Sequence, residues 1–378
     1  MLGMVRNLIL TAVGKYTGWS SLLRPAILHI TVTNRCNLKC GFCNIWKERP
    51  RRDIDFGVIR ALTGSDYFRD FRIIEFGGGE PFLVDLVALA REFVPAGIRM
   101  ILITTNGQST DRILAQVREL LQVGNHSLIL NVSLDGLEET HDRIRGVNGS
   151  FQRATATLRG LAQLREMEPR LRVGVKFTFL AGNYRQIEPV YRIARDLGVE
   201  FTAKPAAVFG TLHNREMEFP LTPEQVEEIS AVLLRIEKDQ LRRTDFSRMN
   251  LLGRLYFFAN TIFNRLQRDY LKENILEGKV RQVIPCFSSF FSVLVHVDGG
   301  VYCCPTLMRR VGTMPEESFR KIWRGDQMQA VRRFIHNGRC SCFSQCDQMP
   351  SLVARYPFRL GWEIGKSYFR NWGMGNRE

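Results

Sequence analysis

AILHITVTNRCNLKCGFCNIW, residues 26–46, places a strand and a cysteine loop in direct succession. Residues 26–32 are almost all apolar, the pattern of a buried strand. The loop behind them carries Cys36, Cys40 and Cys43 within eight residues and no histidine. Three thiols are thus presented where a strand ends, and α/β folds keep their chemistry at the C-terminal ends of strands.

The strand-then-motif order repeats downstream. RIIEF (72–76) reads as a strand ending in GGGEP, IRMILITT (98–105) as one ending in TTNG, and SLILNVSLDG (127–136) as one running into SLDG. RVGVKFTFL (172–180) and VEFTAKP (199–205) complete six strands. Helical patterns at 84–94, 112–122, 150–166 and 187–198 lie between them. This alternation predicts a parallel sheet closed or partly closed as a barrel.

With 378 residues, 45% of them hydrophobic, the core is large enough to need no covalent staples. The nine cysteines, three near the start and six after residue 285, then suit metals and a reducing, cytoplasmic compartment better than disulfides. A net charge of +15 asks for an anionic partner or is simply a solvated basic surface. No nucleic-acid motif or compact basic stripe accompanies it, which disfavours nucleic acid. No apolar run reaches the ~20 residues of a membrane span. LILTAV (8–13) is too short for a secretion signal and lacks a cleavage site.

Iron–sulfur clusters are held by closely spaced thiolates, usually four. C-x3-C-x2-C supplies three, leaving one iron of a 4Fe–4S cluster open to something other than protein. A structural zinc site would want a fourth ligand, and a redox C-x-x-C pair would leave Cys36 without a role.

C-x3-C-x2-C after the first strand resembles the radical S-adenosylmethionine (SAM) superfamily. The resemblance spans about residues 27–205. It implies that the amino and carboxylate groups of SAM chelate the open iron of a catalytic 4Fe–4S cluster. SAM is then cleaved to methionine and a 5′-deoxyadenosyl radical, which abstracts a substrate hydrogen. Further motifs are similar to the family's SAM contacts. Phe42 stands where the family has an aromatic near the adenine. Gly78, Gly79, Glu80 and Pro81 resemble its GGEP, whose glycines permit close approach and whose glutamate accepts from the SAM amine. Ser133 and Asp135 of SLDG match its ribose region. HDRIRG resembles the segment supplying an arginine to the SAM carboxylate, here Arg145, or else Arg143. Thr105 and Asn106 face the same cavity.

FFSVLVHVDGGVYCC (290–304) reads as a hairpin turning at Asp298–Gly300. It resembles the C-terminal SPASM or twitch domain of radical SAM maturases, which implies an auxiliary 4Fe–4S cluster on Cys286, Cys304, Cys342 and Cys346, with Cys340 as a possible substitute ligand. Four thiolates would also make a structural zinc site. Short helices are expected at 315–323, with Pro315 at its first position, and at 326–338.

The expected layout is an amphipathic arm (1–25), a partial (β/α)6 TIM-like barrel (26–211), a helical connecting region (212–285), a small α+β cysteine-rich domain (286–350) and a basic aromatic tail (351–378). The resemblance implies a peptide or protein substrate and an electron donor such as flavodoxin or ferredoxin. The arm, the tail and LLGRLYFFANTIFNRL (251–266) mix aromatics with Arg and Lys, a composition of interfacial helices. They raise two alternatives: peripheral membrane contact with a lipid-linked substrate, or ordinary helix docking. A non-catalytic iron–sulfur or zinc module is the third reading.

Overall fold

The computed structural model describes residues 11, 14, 15, 17, 23–244, 246, 251–276, 286–338 and 340. The chain forms two compact units, Met1–Pro220 with Ser289–Arg332, and Leu221–Ser288 with Arg333–Glu378.

Six strands of the first unit pair in parallel, each with the next in sequence: β1 (Ile27–Thr33), β2 (Ile73–Gly78), β3 (Met100–Thr105), β4 (Ser127–Ser133), β5 (Leu171–Phe179) and β6 (Glu200–Pro205). Between them run α1 (Phe56–Thr63), α2 (Leu86–Phe93), α3 (Thr110–Val123), α4 (Glu138–Arg145), α5 (Ser150–Met167) and α6 (Ile187–Asp196). This is the βα alternation of a partial barrel.

Strand alternation separates two faces. Ile30, Ile74, Phe76, Ile103 and Val173 are buried on one, and each contributes about 1.5–3 kcal/mol by leaving water. Caps set the helix starts: the Asp55 carboxylate accepts from Gly57 N, and that of Asp85 from Ala88 N. The other face is polar. His29 Nδ1 meets Glu75 Oε2 at 2.7 Å, and Lys176 Nζ donates to Thr104 Oγ1 at 2.9 Å. Residues 26–32, expected as a buried strand, therefore carry one polar inner edge.

The expected hairpin is present, and it joins the same sheet. β7 (Ser292–Val295) lies parallel to β1, and β8 (Gly300–Tyr302) and β9 (Arg310–Thr313) follow antiparallel. The nine strands run β6-β5-β4-β3-β2-β1-β7-β8-β9. Gly299 turns the hairpin at φ +74°, where a Cβ would stand 2.2 Å from Met314 O. The first short helix, α9 (Phe319–Arg324), begins four residues later than Pro315. The Ser318 hydroxyl accepts from Lys321 N and sets its start, while Pro315 lies in the turn before it. α10 (Asp326–His336) follows.

In the second unit, α7 (Pro223–Arg243) opens with a capping box between Thr222 and Gln225. It pairs with α8 (Leu251–Leu276). Glu237, nearly buried, holds Arg265 at 2.6 Å and Arg268 at 2.7 Å across the pair. The aromatic-basic stretch 251–266 is thus a docked helix. Among the described residues no helix is long and apolar enough to cross a membrane. The tail and most of the N-terminal arm lie outside the described residues.

Candidate active site

The cysteine loop leaves β1 and is tied down on three sides. Gly79 N donates to Thr33 O at 2.8 Å and Glu80 N to Arg35 O at 2.9 Å. A Cβ at Gly78 would stand 2.1 Å from Thr33 O, and one at Gly79 would stand 2.0 Å from Arg35 O. These two glycines are there because the cysteine loop crosses directly over them. On the second side, Lys39 N and Gly41 N donate to Arg145 O and Ile144 O at the end of α4. On the third, Asn44 N donates to Leu212 O, and Asn214 Nδ2 to Phe42 O.

Cys40 and Cys43 are buried and Cys36 is half-buried; none forms a disulfide. Leu38, Phe42 and Ile45 pack around them. Burial pushes the Cys36 thiol up to about 11 and the Cys43 thiol up to about 12, and Cys40 is raised for the same reason. Such a pocket holds three thiols neutral until a cation makes thiolates favourable, as a bound metal does. Three thiols on one loop fit the three-thiolate side of a 4Fe–4S cluster.

Polar groups converge on the same sulfurs. Arg145 Nη1 approaches Cys40 Sγ at 3.7 Å, and its guanidinium lies 5.5 Å from the Phe42 ring centroid. Nη2 pairs with Asp135 Oδ2 at 2.5 Å, whereas Nε is buried without a hydrogen-bond partner. Burial alone would lower the Arg145 pKa, but Asp135 and Cys40 outweigh it and the guanidinium stays charged. Arg143, the other candidate, is exposed. Asn106 Nδ2 donates to Asn37 Oδ1 at 2.7 Å and lies 3.9 Å from Cys36 Sγ.

Glu80 is 3% exposed. Its carboxylate accepts from Thr105 Oγ1 at 2.7 Å, Asn106 N at 2.7 Å and Phe82 N at 3.2 Å. It buckles the end of β2 to the end of β3, and Pro81 starts the single turn behind it. Burial raises its pKa against the pull of these donors. Ser133 is buried at the end of β4. Asp135, fully buried, accepts from Thr178 N at 2.7 Å and faces Arg145.

Sequence reasoning did not single out His141 or Asn183. His141 Nδ1 accepts from Asp135 N at 3.0 Å, and Nε2 meets Ser150 Oγ at 3.2 Å. Burial and Arg145 push its pKa down to about 3, so it is neutral. Asn183 Nδ2 donates to Asp135 O at 2.9 Å. The histidine opening HDRIRG was the available signal; nothing local marks Asn183.

Among the later cysteines, Cys303 and Cys304 are buried where β8 ends, and Leu307 N donates to Cys304 Sγ at 3.2 Å. Cys286 is buried and Cys340 half-buried. Cys342 and Cys346 lie outside the described residues.

The chain is 35% identical over 175 residues to the Fe-coproporphyrin III synthase of Methanosarcina barkeri, covering 44% of this chain and 40% of that one. It therefore spans about two fifths of the length of this relative. Against the AdoMet-dependent heme synthase of the same organism it is 25% identical over 79% of this chain and 82% of that one. Against the subtilosin biosynthesis protein AlbA of Bacillus subtilis it is 27% identical over 47% of this chain and 38% of that one. The fold is similar to that of Streptococcus suis SuiB bound to its precursor peptide SuiA, with a TM-score of 0.57 at 15% identity, covering 85% of this chain and 70% of that one. Residues 30–168 match the Radical SAM superfamily, which implies a 4Fe–4S cluster and SAM. Residues 286–348 match the SPASM iron–sulfur cluster-binding domain, which implies an auxiliary iron–sulfur cluster. The chain thus carries a radical SAM domain over residues 30–168 and a SPASM iron–sulfur cluster-binding domain over residues 286–348.

Proposed function

We propose that this chain reductively cleaves SAM to a 5′-deoxyadenosyl radical that takes a hydrogen atom from a peptide or protein. One observation carries the reaction class: three buried or half-buried cysteines on one loop, with Arg145 at one sulfur and Asn106 at another. In this reading Cys36, Cys40 and Cys43 hold the catalytic cluster, which supplies the electron that splits SAM. Arg145 offers its unpaired Nε–H to the SAM carboxylate. Phe42 would cover the adenine, and Ser133 and Asp135 would serve the ribose. Glu80 acts on the SAM amine and, through Thr105 and Asn106, keeps the loop ends in register. Cys286, Cys304, Cys342 and Cys346 would hold the auxiliary cluster, with Cys340 as the substitute for one of them. The AlbA relative, a protein of bacteriocin biosynthesis, supports the peptide. A reducing cytoplasm with a flavodoxin or ferredoxin donor suits oxygen-sensitive clusters.

A tetrapyrrole carboxylate is the second reading. Two relatives are named as synthases of tetrapyrroles, Fe-coproporphyrin III and heme. On the inner sheet face the His29 ring, and after it Lys176 and Lys204, outweigh burial and hold the Glu75 carboxyl well below the usual carboxylate range, so cationic groups stand where a substrate carboxylate would pair.

The test is anaerobic. Reconstituted enzyme, dithionite and SAM are expected to give 5′-deoxyadenosine, and the Cys36→Ala/Cys40→Ala/Cys43→Ala chain none. Persistent SAM cleavage by that triple variant would end the radical reading. Deoxyadenosine formation stimulated by Fe-coproporphyrin III, and not by peptides encoded beside this gene, would choose the second substrate class.

A further inference from the structure

One cluster of metal-ligating side chains takes no part in the site above. Glu48 follows a one-turn helix, Ile45–Lys47, just beyond Cys43. His213 ends a second one-turn helix, Gly210–Leu212, and His296 follows β7. One ligand atom from each lies within 4.8 Å of the other two. His213 Nε2 is 3.1 Å from Glu48 Oε2. His296 Nδ1 meets Asp298 Oδ1 at 3.1 Å, which leaves Nε2 as its binding atom. Asp298 is itself anchored by Gly300 N at 2.9 Å.

We propose that Glu48, His213 and His296 bind one divalent first-row transition-metal ion, at a site separate from the cysteines. Two imidazoles and one carboxylate are the donor set of open zinc and non-haem iron(II) sites. A plain ion pair accounts for Glu48 and His213. It does not account for a buried second imidazole, His296, at the same place, oriented by its own carboxylate. That carboxylate–histidine arrangement is how metal-binding histidines are held. Ligand atoms about 2.0–2.2 Å from zinc in tetrahedral geometry stand roughly 3.3–3.6 Å apart. Glu48 and His213 are already near that spacing, and His296 lies at most about 1.5 Å beyond it.

The His213 side chain is 38% exposed, which gives an ion a way in and room for water on the open positions. Its backbone is left-handed, at φ 49° and ψ 38°, and Asn44 Nδ2 holds its carbonyl at 3.1 Å. That conformation is strained in a non-glycine residue. Asn44 adjoins Cys43, so a bound ion would pin the far end of the cysteine loop through both Glu48 and His213. The donor set selects Zn(II), Fe(II) or Co(II) over Mg(II) or Ca(II), which prefer all-oxygen cages. The site does not depend on the radical reading.

The test uses the full chain with its clusters reconstituted, dialysed against Zn(II) alone, with zinc, iron and sulfide measured together. Co(II) is used in parallel for its ligand-field absorption. The expected result is one zinc per chain above the cluster iron, with iron unchanged. His213→Ala, at an exposed position that leaves the core intact, is expected to weaken zinc at least ~10-fold. Asp298→Asn is expected to weaken it ~10- to 100-fold through His296. Equal zinc affinity in wild type and His213→Ala, no zinc in wild type, or zinc gained in step with iron lost would each overturn the proposal; the last would place the zinc on the cysteines.

Discussion

Arg145 Nη1 lies 3.7 Å from Cys40 Sγ although 105 residues separate them. The same guanidinium pairs with Asp135, which has no exposed surface. One arginine therefore balances a buried carboxylate and stands at a sulfur that becomes negative when it binds a metal. Arg145→Met leaves Asp135 uncompensated and is expected to cost about 3–5 kcal/mol. Denaturant titration of Arg145→Met, Asp135→Asn and the double variant checks this. The double variant should recover most of the loss. If it is no more stable than Arg145→Met alone, the pair is not the cause.

Gly79→Ala forces a Cβ to within 2.0 Å of Arg35 O, directly before Cys36. The loop must move, and iron per reconstituted chain is expected to fall by more than half. Gly77→Ala is the control, since its Cβ would meet nothing closer than Ile30 O at 3.8 Å. Equal iron in the two variants would mean that the crossing does not position the cysteines.

His141 gives the fold a pH dependence with a definite sign. Its folded pKa is pushed down to about 3, below the ~6.5 of an unfolded histidine. Between these values the unfolded chain binds the extra proton, so stability rises with pH and is lost on acidification. The expected slope is about 1.4 kcal/mol per pH unit between pH ~6 and ~4. His141→Gln should flatten it. Urea midpoints of both proteins at pH 7, 6 and 5 measure the difference, and parallel curves would exclude His141 as the source.

Removing cluster metal should expose the burial cost of the thiols. Chelation with loss of iron is expected to leave three neutral thiols and a looser loop. Hydrogen exchange at Lys39 N and Gly41 N, bonded to the end of α4, reads this directly. Protection there should fall on iron loss, while that of β3 and β4 stays.

The strand–helix alternation was legible because its information is local. A run such as MILITT in β3 declares its period within six residues, and cysteines spaced three and two apart declare their shared loop. Helix starts were legible where a cap stands alone, as at Thr222. They shifted where Pro315 and Ser318 competed and the serine hydroxyl found its partner. The motif residues were read as ligand contacts. Gly78, Gly79 and Glu80 proved also to hold the chain against itself, which no single motif declares.

By itself, the sequence determined that three thiols end a buried strand in a βα-repeating chain, since periodicity and spacing are properties of neighbouring residues. Only the tertiary structure decided that β7 pairs with β1, that Arg145 rather than exposed Arg143 reaches Cys40, and that Glu48, His213 and His296 meet. Those partners stand more than eighty positions apart. Their meeting follows from parallel pairing and burial of the whole sheet, and long-range closure leaves no local trace in the chain.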